Sequence, residues 1–73
     1  MILMDIQDVM KYLDVSRHYV EWIRDYNLLT MWKMSKKWRT SLDDVNDFLE
    51  LTRGHDLSGK GEIIKFAIDH KRI

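Results

Sequence analysis

The sequence predicts a mainly α-helical fold that carries one small β-hairpin. Apolar residues recur at helical spacing in four segments, and Asp5, Ser16 and Ser41 precede the first three segments as helix-capping residues. A single β-rich interval separates the second segment from the third. With 73 residues, the chain has the length of one domain and leaves no room for a second, catalytic domain.

The composition excludes several classes of protein. A chain that is 45% hydrophobic and 33% charged is too apolar to be disordered, and no apolar run approaches the roughly 20 residues that span a bilayer. Because there is no cysteine, neither a disulfide framework nor a thiolate zinc site can form. The first residues lack the basic and apolar regions of a secretory signal. We therefore expect a folded, cytoplasmic protein with no membrane partner.

The first two helices are expected to be short and joined by a tight turn. Asp14-Val15 interrupts the period of the first helix, and Ser16 begins the second helix, which Asn27 ends. The inward residues of the first helix are Ile6, Val9, Met10 and Leu13, and those of the second are Tyr19, Val20, Ile23 and Tyr26. The polar arc of the second helix consists of Arg17, His18, Glu21, Arg24 and Asp25.

The next segment predicts a hairpin and a third helix. Residues 29–34 and 37–40 are rich in β-formers, and the Ser35-Lys36 turn between them contains no glycine. Trp38 is expected in the core beneath the hairpin. Ser41 then caps a helix whose predicted core face is Leu42, Val45, Phe48 and Leu49.

The C-terminal part of the chain predicts a connector and a last helix. Residues 53–61 contain all three glycines, and a helix is expected from Glu62 to Lys71. The apolar residues of that helix either pack on the domain or contact a second subunit or a partner protein: Ile63, Ile64, Phe66, Ala67 and Ile68. The predicted organisation is a domain over residues 1–52, a connector over 53–61 and a C-terminal helix over 62–73.

Charge is unevenly distributed, although 12 basic and 12 acidic residues give a net charge of zero. No acid occurs from Tyr26 to Leu42, and this interval contains Lys33, Lys36, Lys37 and Arg39. A neutral chain is not expected to coat nucleic acid indiscriminately, whereas a basic hairpin can contact a polyanion locally.

The order of these elements is that of a winged helix-turn-helix domain, with three helices plus a wing and a fourth helix at the C-terminus. In such domains the second helix enters a major groove about 12 Å wide. Residues 6–17 and 37–49 resemble excisionase-type domains, and residues 22–29 resemble the corresponding segment of MerR-like regulators. The most specific matches are Val15-Ser16-Arg17, Trp38-Arg39 and Asp44-Val45, and the resemblance covers about Met4 to Leu51.

The resemblance implies that Ser16, Arg17 and His18 face the groove and that Lys37 and Arg39 contact the backbone. Two departures from the family are Asp14 and Asn27, which replace glycine. Both residue types tolerate the left-handed conformation.

Individual side chains on this surface are expected to have different roles. Arg17 is expected to read guanine, and Glu21, where MerR-like proteins often have arginine, to accept a hydrogen bond from cytosine. Arg24 either contacts phosphate or lies in solvent. The expected backbone contacts of the wing are Lys33, Lys36, Lys37 and Arg39.

No pattern indicates catalysis, a cofactor or a metal. His18, His55 and His70 lie on different elements without partners at ligand spacing. Residues 54–60 have the spacing of a phosphate-binding P-loop, but Gly61 follows where serine or threonine is needed and no strand precedes. We expect no enzymatic activity.

The leading hypothesis is sequence-specific binding of double-stranded DNA, as an excisionase-like recombination factor or a small transcription regulator. The last helix would then contact a second copy or a recombinase. The alternative is a protein-interaction adaptor on the same scaffold, favoured by the zero net charge, by Glu21 on the expected groove face and by the apolar last helix.

Overall fold

The computed structural model describes all 73 residues as four helices and a small antiparallel sheet. The elements in chain order are β1 (Leu3–Asp5), α1 (Ile6–Leu13), α2 (Arg17–Asp25), β2 (Trp32–Met34), β3 (Lys37–Ser41), α3 (Leu42–Thr52) and α4 (Lys60–Asp69). The four predicted helices and the hairpin are confirmed, and α4 lies two residues nearer the N-terminus than predicted. None of the helices has the length and apolar character needed to cross a membrane.

The strand β1 is absent from the sequence-based prediction. It pairs antiparallel with β3, which also pairs with β2, so the strand order is β1-β3-β2. Three residues are too few to show an alternating pattern, and the partner strand is distant in the sequence. The prediction of a mainly α fold with a hairpin is therefore corrected to a mixed α/β fold with a three-stranded sheet.

Side-chain caps begin the first three helices, as predicted. The Asp8 N–H donates to Asp5 Oδ1 at 2.9 Å, and the Asp5 N–H donates to Asp8 Oδ2 at 3.1 Å, which forms a reciprocal capping box at α1. Ser16 Oγ accepts from the Tyr19 N–H at 3.2 Å, and Ser41 Oγ caps α3 at 3.1 Å. These bonds satisfy backbone N–H groups that have no partner within the helix.

Five non-glycine residues have a left-handed backbone conformation, and four of them lie in the tight turns that join the elements from α1 to β3. Asp14 and Asn27, which were expected to take the place of glycine, have φ of 56° and 61°. In the hairpin turn, Ser35 and Lys36 have φ of 54° and 68°. Positive φ at both central positions is the property of a type I′ turn, whose twist matches that of the flanking strands.

The helix α4 packs into the same core as the rest of the chain. Ile63 and Ala67 are fully buried and Phe66 is nearly so, whereas Ile68 is 56% exposed. The Asn27 side chain also donates to the Arg72 carbonyl at 3.0 Å, which ties the end of the chain to the end of α2. The buried apolar residues are Met4, Ile6, Val9, Val20, Ile23, Leu28, Leu29, Val45, Phe48, Ile63, Phe66 and Ala67.

Leu49 was predicted to be in the core, and this prediction was wrong because its side chain is 40% exposed. Successive residues of an α-helix are separated by about 100° around the axis. Phe48 takes the inward position and is only 4% exposed, so Leu49 is turned to the edge of the buried face.

Candidate nucleic-acid interface

The start of α2 presents a row of polar side chains to solvent. Arg17 and His18 are 54% and 80% exposed, and Glu21 is 31% exposed one turn later. Arg17 Nε donates to Glu21 Oε2 at 3.3 Å, and Glu21 Oε1 lies 3.7 Å from His18 Nδ1. Ser16 precedes this row and is occupied as the cap of α2. A single carboxylate therefore contacts both neighbouring side chains and reduces the positive charge of this face.

The hairpin carries three exposed lysines. Lys36 lies in the turn, and Lys33 and Lys37 lie on the strands that flank it. Lys33 is paired directly with Trp38 across the two strands, so their side chains lie on the same face of the sheet. The hairpin therefore carries three cations near its outer end, with Lys36 in the turn and with Lys33 and Lys37 on opposite faces of the strand pair.

Trp38 connects the hairpin to α2. The Arg24 guanidinium carbon lies 4.5 Å from the centre of the Trp38 ring, and Lys33 Nζ lies 5.5 Å from it. Arg24 is only 18% exposed and also contacts Asp25 at 2.9 Å. Trp38 is half-buried and packs against the core from its surface, instead of lying wholly within it. Arg24 is therefore neither a free solvent-exposed side chain nor a fully available phosphate contact.

Arg39 is turned towards β1. Its Nη1 lies 3.8 Å from Asp5 Oδ2, because the antiparallel register places these two residues opposite each other. The hydrogen bond from the Asp8 N–H is the main cause that lowers the pKa of Asp5. The nearby charges of Arg39 and Lys37 also lower it, and desolvation opposes them. The carboxylate thus stays charged and offsets the positive charge of Arg39.

A cleft of about 270 Å³ lies between the start of α1, the start of α2 and the tip of the hairpin. We call it the helix–hairpin cleft. It brings together three of the nine predicted site residues, Arg17, Lys36 and Lys37. Of the other six, Ser16 is the cap, His18 and Glu21 extend along α2, Arg24 and Lys33 meet at Trp38, and Arg39 faces Asp5. The lining residues of the cleft are Asp5, Ile6, Gln7, Arg17, Lys36, Lys37 and Trp38.

No family model, curated protein or solved structure matches this chain. The chemistry of the surface must therefore be derived from its own residues. Nowhere do three or more histidine, aspartate or glutamate side chains meet in a group that could hold a metal ion. The lining of the helix–hairpin cleft includes three cationic groups, one amide and one carboxylate.

Sequence reasoning missed two polar residues of the cleft, Gln7 and Asp5, and assigned its two apolar residues, Ile6 and Trp38, to the core. Gln7 is a polar residue on a short amphipathic helix and carries no pattern that distinguishes it from a solvated side chain. Asp5 was recognised only as a helix cap, because its second contact, with Arg39, depends on the pairing of β1 with β3. The available signals for the cleft were the basic hairpin and the position of Arg17 at the start of the polar arc of the second helix.

Proposed function

We propose that this protein binds duplex DNA through the exposed face of α2 together with the β2–β3 hairpin. We call this the α2–hairpin surface, and its exposed basic members are Arg17, His18, Lys33, Lys36 and Lys37. The observation that carries the proposal is that Arg17 of α2 and both Lys36 and Lys37 of the hairpin line the same cleft. The helix and the hairpin therefore place cations on the same side of the molecule. This placement is necessary if both elements are to contact one duplex.

The dimensions of the surface are compatible with this function. An α-helix with its side chains is about 10–12 Å in diameter and fits a major groove roughly 12 Å wide. The nine residues of α2 extend about 13.5 Å along the helix axis, at 1.5 Å per residue. In a winged helix-turn-helix arrangement, α2 would enter that groove while the hairpin rests on the backbone. The resemblance of the sequence to excisionase-type and MerR-like domains supports the same arrangement.

Charge segregation explains how a neutral chain can bind a polyanion. The α2–hairpin surface carries Arg17 and three lysines against two acids of α2, Glu21 and Asp25, and Asp25 is already paired with Arg24. Acids are concentrated instead on the exposed part of α3, at Asp43, Asp47 and Glu50. Such a distribution orients the protein on DNA and limits indiscriminate binding.

The direct test is duplex binding as a function of salt. Arg17 and the three hairpin lysines, if they neutralise four phosphates, give a slope of log K against log salt of about −3 to −4, from roughly −0.9 per phosphate. Arg17 is counted because Glu21 contacts only its Nε, whereas Arg24 and Arg39 are left out because Asp25 and Asp5 contact their terminal amino groups. A slope near zero, or no binding at about 50 mM salt, would contradict the proposal. Lys65→Ala, which removes an exposed cation of α4 outside this surface, is the control.

Two biological roles fit a DNA-binding module of this kind, and they differ in what the protein does to DNA. An excisionase-like recombination factor bends its site for a recombinase, whereas a small transcription regulator occupies its site without needing a bend. Bends of about 40–90° over a binding site are readily measured by the mobility of circularly permuted fragments. A large bend supports the recombination role, and an unbent complex supports the regulatory role.

A second function, a protein-interaction adaptor, is favoured by one specific observation. An apolar groove of about 370 Å³ lies between α1, α2, α3 and the connector, and the exposed Leu49 lies at it. Its apolar lining residues are Leu13, Val15, Tyr19, Phe48, Leu49 and Leu57. Under the DNA proposal, Leu49→Glu leaves duplex affinity unchanged, since the groove does not share residues with the α2–hairpin surface. Absence of duplex binding by the wild-type protein favours the adaptor.

A further inference from the structure

We infer that the helix–hairpin cleft seats one backbone phosphate of the duplex and that Arg17 is a ligand of this phosphate instead of a reader of guanine. The inference rests on the proposed DNA binding and names the ligand of the helix–hairpin cleft. It also changes the role that the sequence alone assigned to Arg17.

The charge in the cleft is the first argument. Arg17, Lys36 and Lys37 line it with three positive charges, and Asp5 is the single acid among the lining residues. The carboxylate of Asp5 is already occupied, because it accepts from the Asp8 N–H at 2.9 Å and lies 3.8 Å from Arg39. Neither Lys36 nor Lys37 takes part in an ion pair. The cleft therefore has an unbalanced positive charge that a phosphate can neutralise.

The lining of the cleft, which has a volume of about 270 Å³, is the second argument. Only two of the seven lining residues are hydrophobic. The Gln7 side chain adds amide N–H donors to the cationic groups. A compact anion with several acceptor oxygens suits this lining better than an apolar ligand does.

The arrangement of Arg17 is the third argument. Its Nε is engaged by Glu21 at 3.3 Å, which leaves both terminal amino groups without a hydrogen-bond partner in the protein. A base edge lies deep in the groove and is contacted from the helix alone. A phosphate lies at the edge of the groove, where one strand passes between helix and hairpin, so both elements can contact it. Arg17 shares its cleft with two hairpin lysines, so its position is the one expected for a phosphate contact and not for a base contact.

Two substitutions of Arg17 distinguish these contacts. Arg17→Lys keeps the charge but loses the planar fork that reads guanine, whereas a phosphate also accepts the ammonium group of lysine. We expect Arg17→Lys to bind within about threefold of the wild-type affinity and Arg17→Ala to bind about tenfold more weakly, on preferred and random duplexes alike. The charge-matched control, Lys65→Ala, is expected to bind like the wild-type protein.

A scan of the duplex with methylphosphonate, which replaces one charged phosphate at a time with a neutral group, locates the contact. Wild-type affinity is expected to fall by about tenfold at one position on the strand. Arg17→Ala and Lys37→Ala are each expected to reduce the effect of that replacement, because each removes one of the cations that contact the phosphate. The double variant is expected to lose much less than the product of the single losses, because both side chains serve the same phosphate.

Three results would overturn the inference. The first is a loss of about tenfold or more in Arg17→Lys that is confined to the preferred sequence, because this is the signature of a guanine contact. The second is a methylphosphonate effect of the same size in Arg17→Ala as in the wild-type protein. The third is the absence of duplex binding by the wild-type protein, which would also overturn the proposed function, whereas the first two would leave that function intact.

Discussion

The guanidinium group of Arg24 on α2 stacks on the indole of Trp38 on β3, with 4.5 Å between the guanidinium carbon and the ring centre. Lys33 Nζ lies 5.5 Å from the same ring. The aromatic ring thus joins the helix and the hairpin of the α2–hairpin surface. Because Arg24 is only 18% exposed, solvent screens this contact less than it screens the ion pairs of the surrounding surface.

The first prediction measures this contact. Arg24→Met retains an apolar stem but removes the charge, so the free energy of unfolding in urea should fall by about 0.5–1 kcal/mol. In a Trp38→Leu background, the same replacement should lower the free energy of unfolding by less, and a double-mutant cycle measures this difference. The control is Asp25→Asn, which removes the other partner of Arg24 and should change stability by less than about 0.5 kcal/mol. Equal losses in both backgrounds would show that the ring does not stabilise the arginine.

The second prediction concerns Asp5 and pH. Its pKa in the folded protein lies below the ordinary value of 3.8, so the ionised carboxylate stabilises the fold above that pH. This contribution is lost as the pH falls through the lowered pKa. Asp5→Asn keeps the capping oxygen but not the charge. As the pH falls below about 4, the free energy of unfolding of this variant should therefore decrease less steeply than that of the wild-type protein. Urea unfolding between about pH 2 and pH 6 measures the difference, and curves of equal steepness would contradict it.

The third prediction separates the two roles of Lys36. Its φ of 68° favours glycine, so Lys36→Gly should raise the free energy of unfolding by about 0.5–1 kcal/mol. Lys36→Ala keeps the unfavourable conformation and should not be more stable than the wild type. Both variants lose the charge in the helix–hairpin cleft, and both should lower the magnitude of the salt slope of DNA binding by about one. If binding followed stability instead of charge, the two variants would differ in affinity.

The fourth prediction tests the packing of α4. Phe66→Ala removes a nearly buried aromatic side chain and should lower the free energy of unfolding by about 3–4 kcal/mol. Ile68→Ala on the exposed side of the same helix should change it by less than about 0.5 kcal/mol. Deletion of residues 60–73 should lower the melting temperature for the same reason. An unchanged melting temperature after the deletion would show that α4 adds nothing to the stability of the core.

The sequence by itself determined the local features of this protein. The caps at Asp5, Ser16 and Ser41 follow from short-range hydrogen bonds between a side chain and a backbone N–H three residues later. The left-handed residues Asp14 and Asn27 are likewise set by local preferences for turn conformations. Helical periodicity also predicted the existence of all four helices, because it depends on residues within a few turns of each other.

Only the tertiary structure decided which distant residues meet. β1 forms because its backbone pairs with β3, and this pairing turns Arg39 towards Asp5 and away from the set of free cations. The choice between Phe48 and Leu49 for the core depends on the rotation of α3 against the sheet, which neighbouring residues along the chain do not fix. The meeting of Arg17 with the hairpin lysines in one cleft has the same origin. Contacts between elements far apart in sequence depend on the packing of the whole core, whereas caps, turns and helical periods depend on the few residues that surround them.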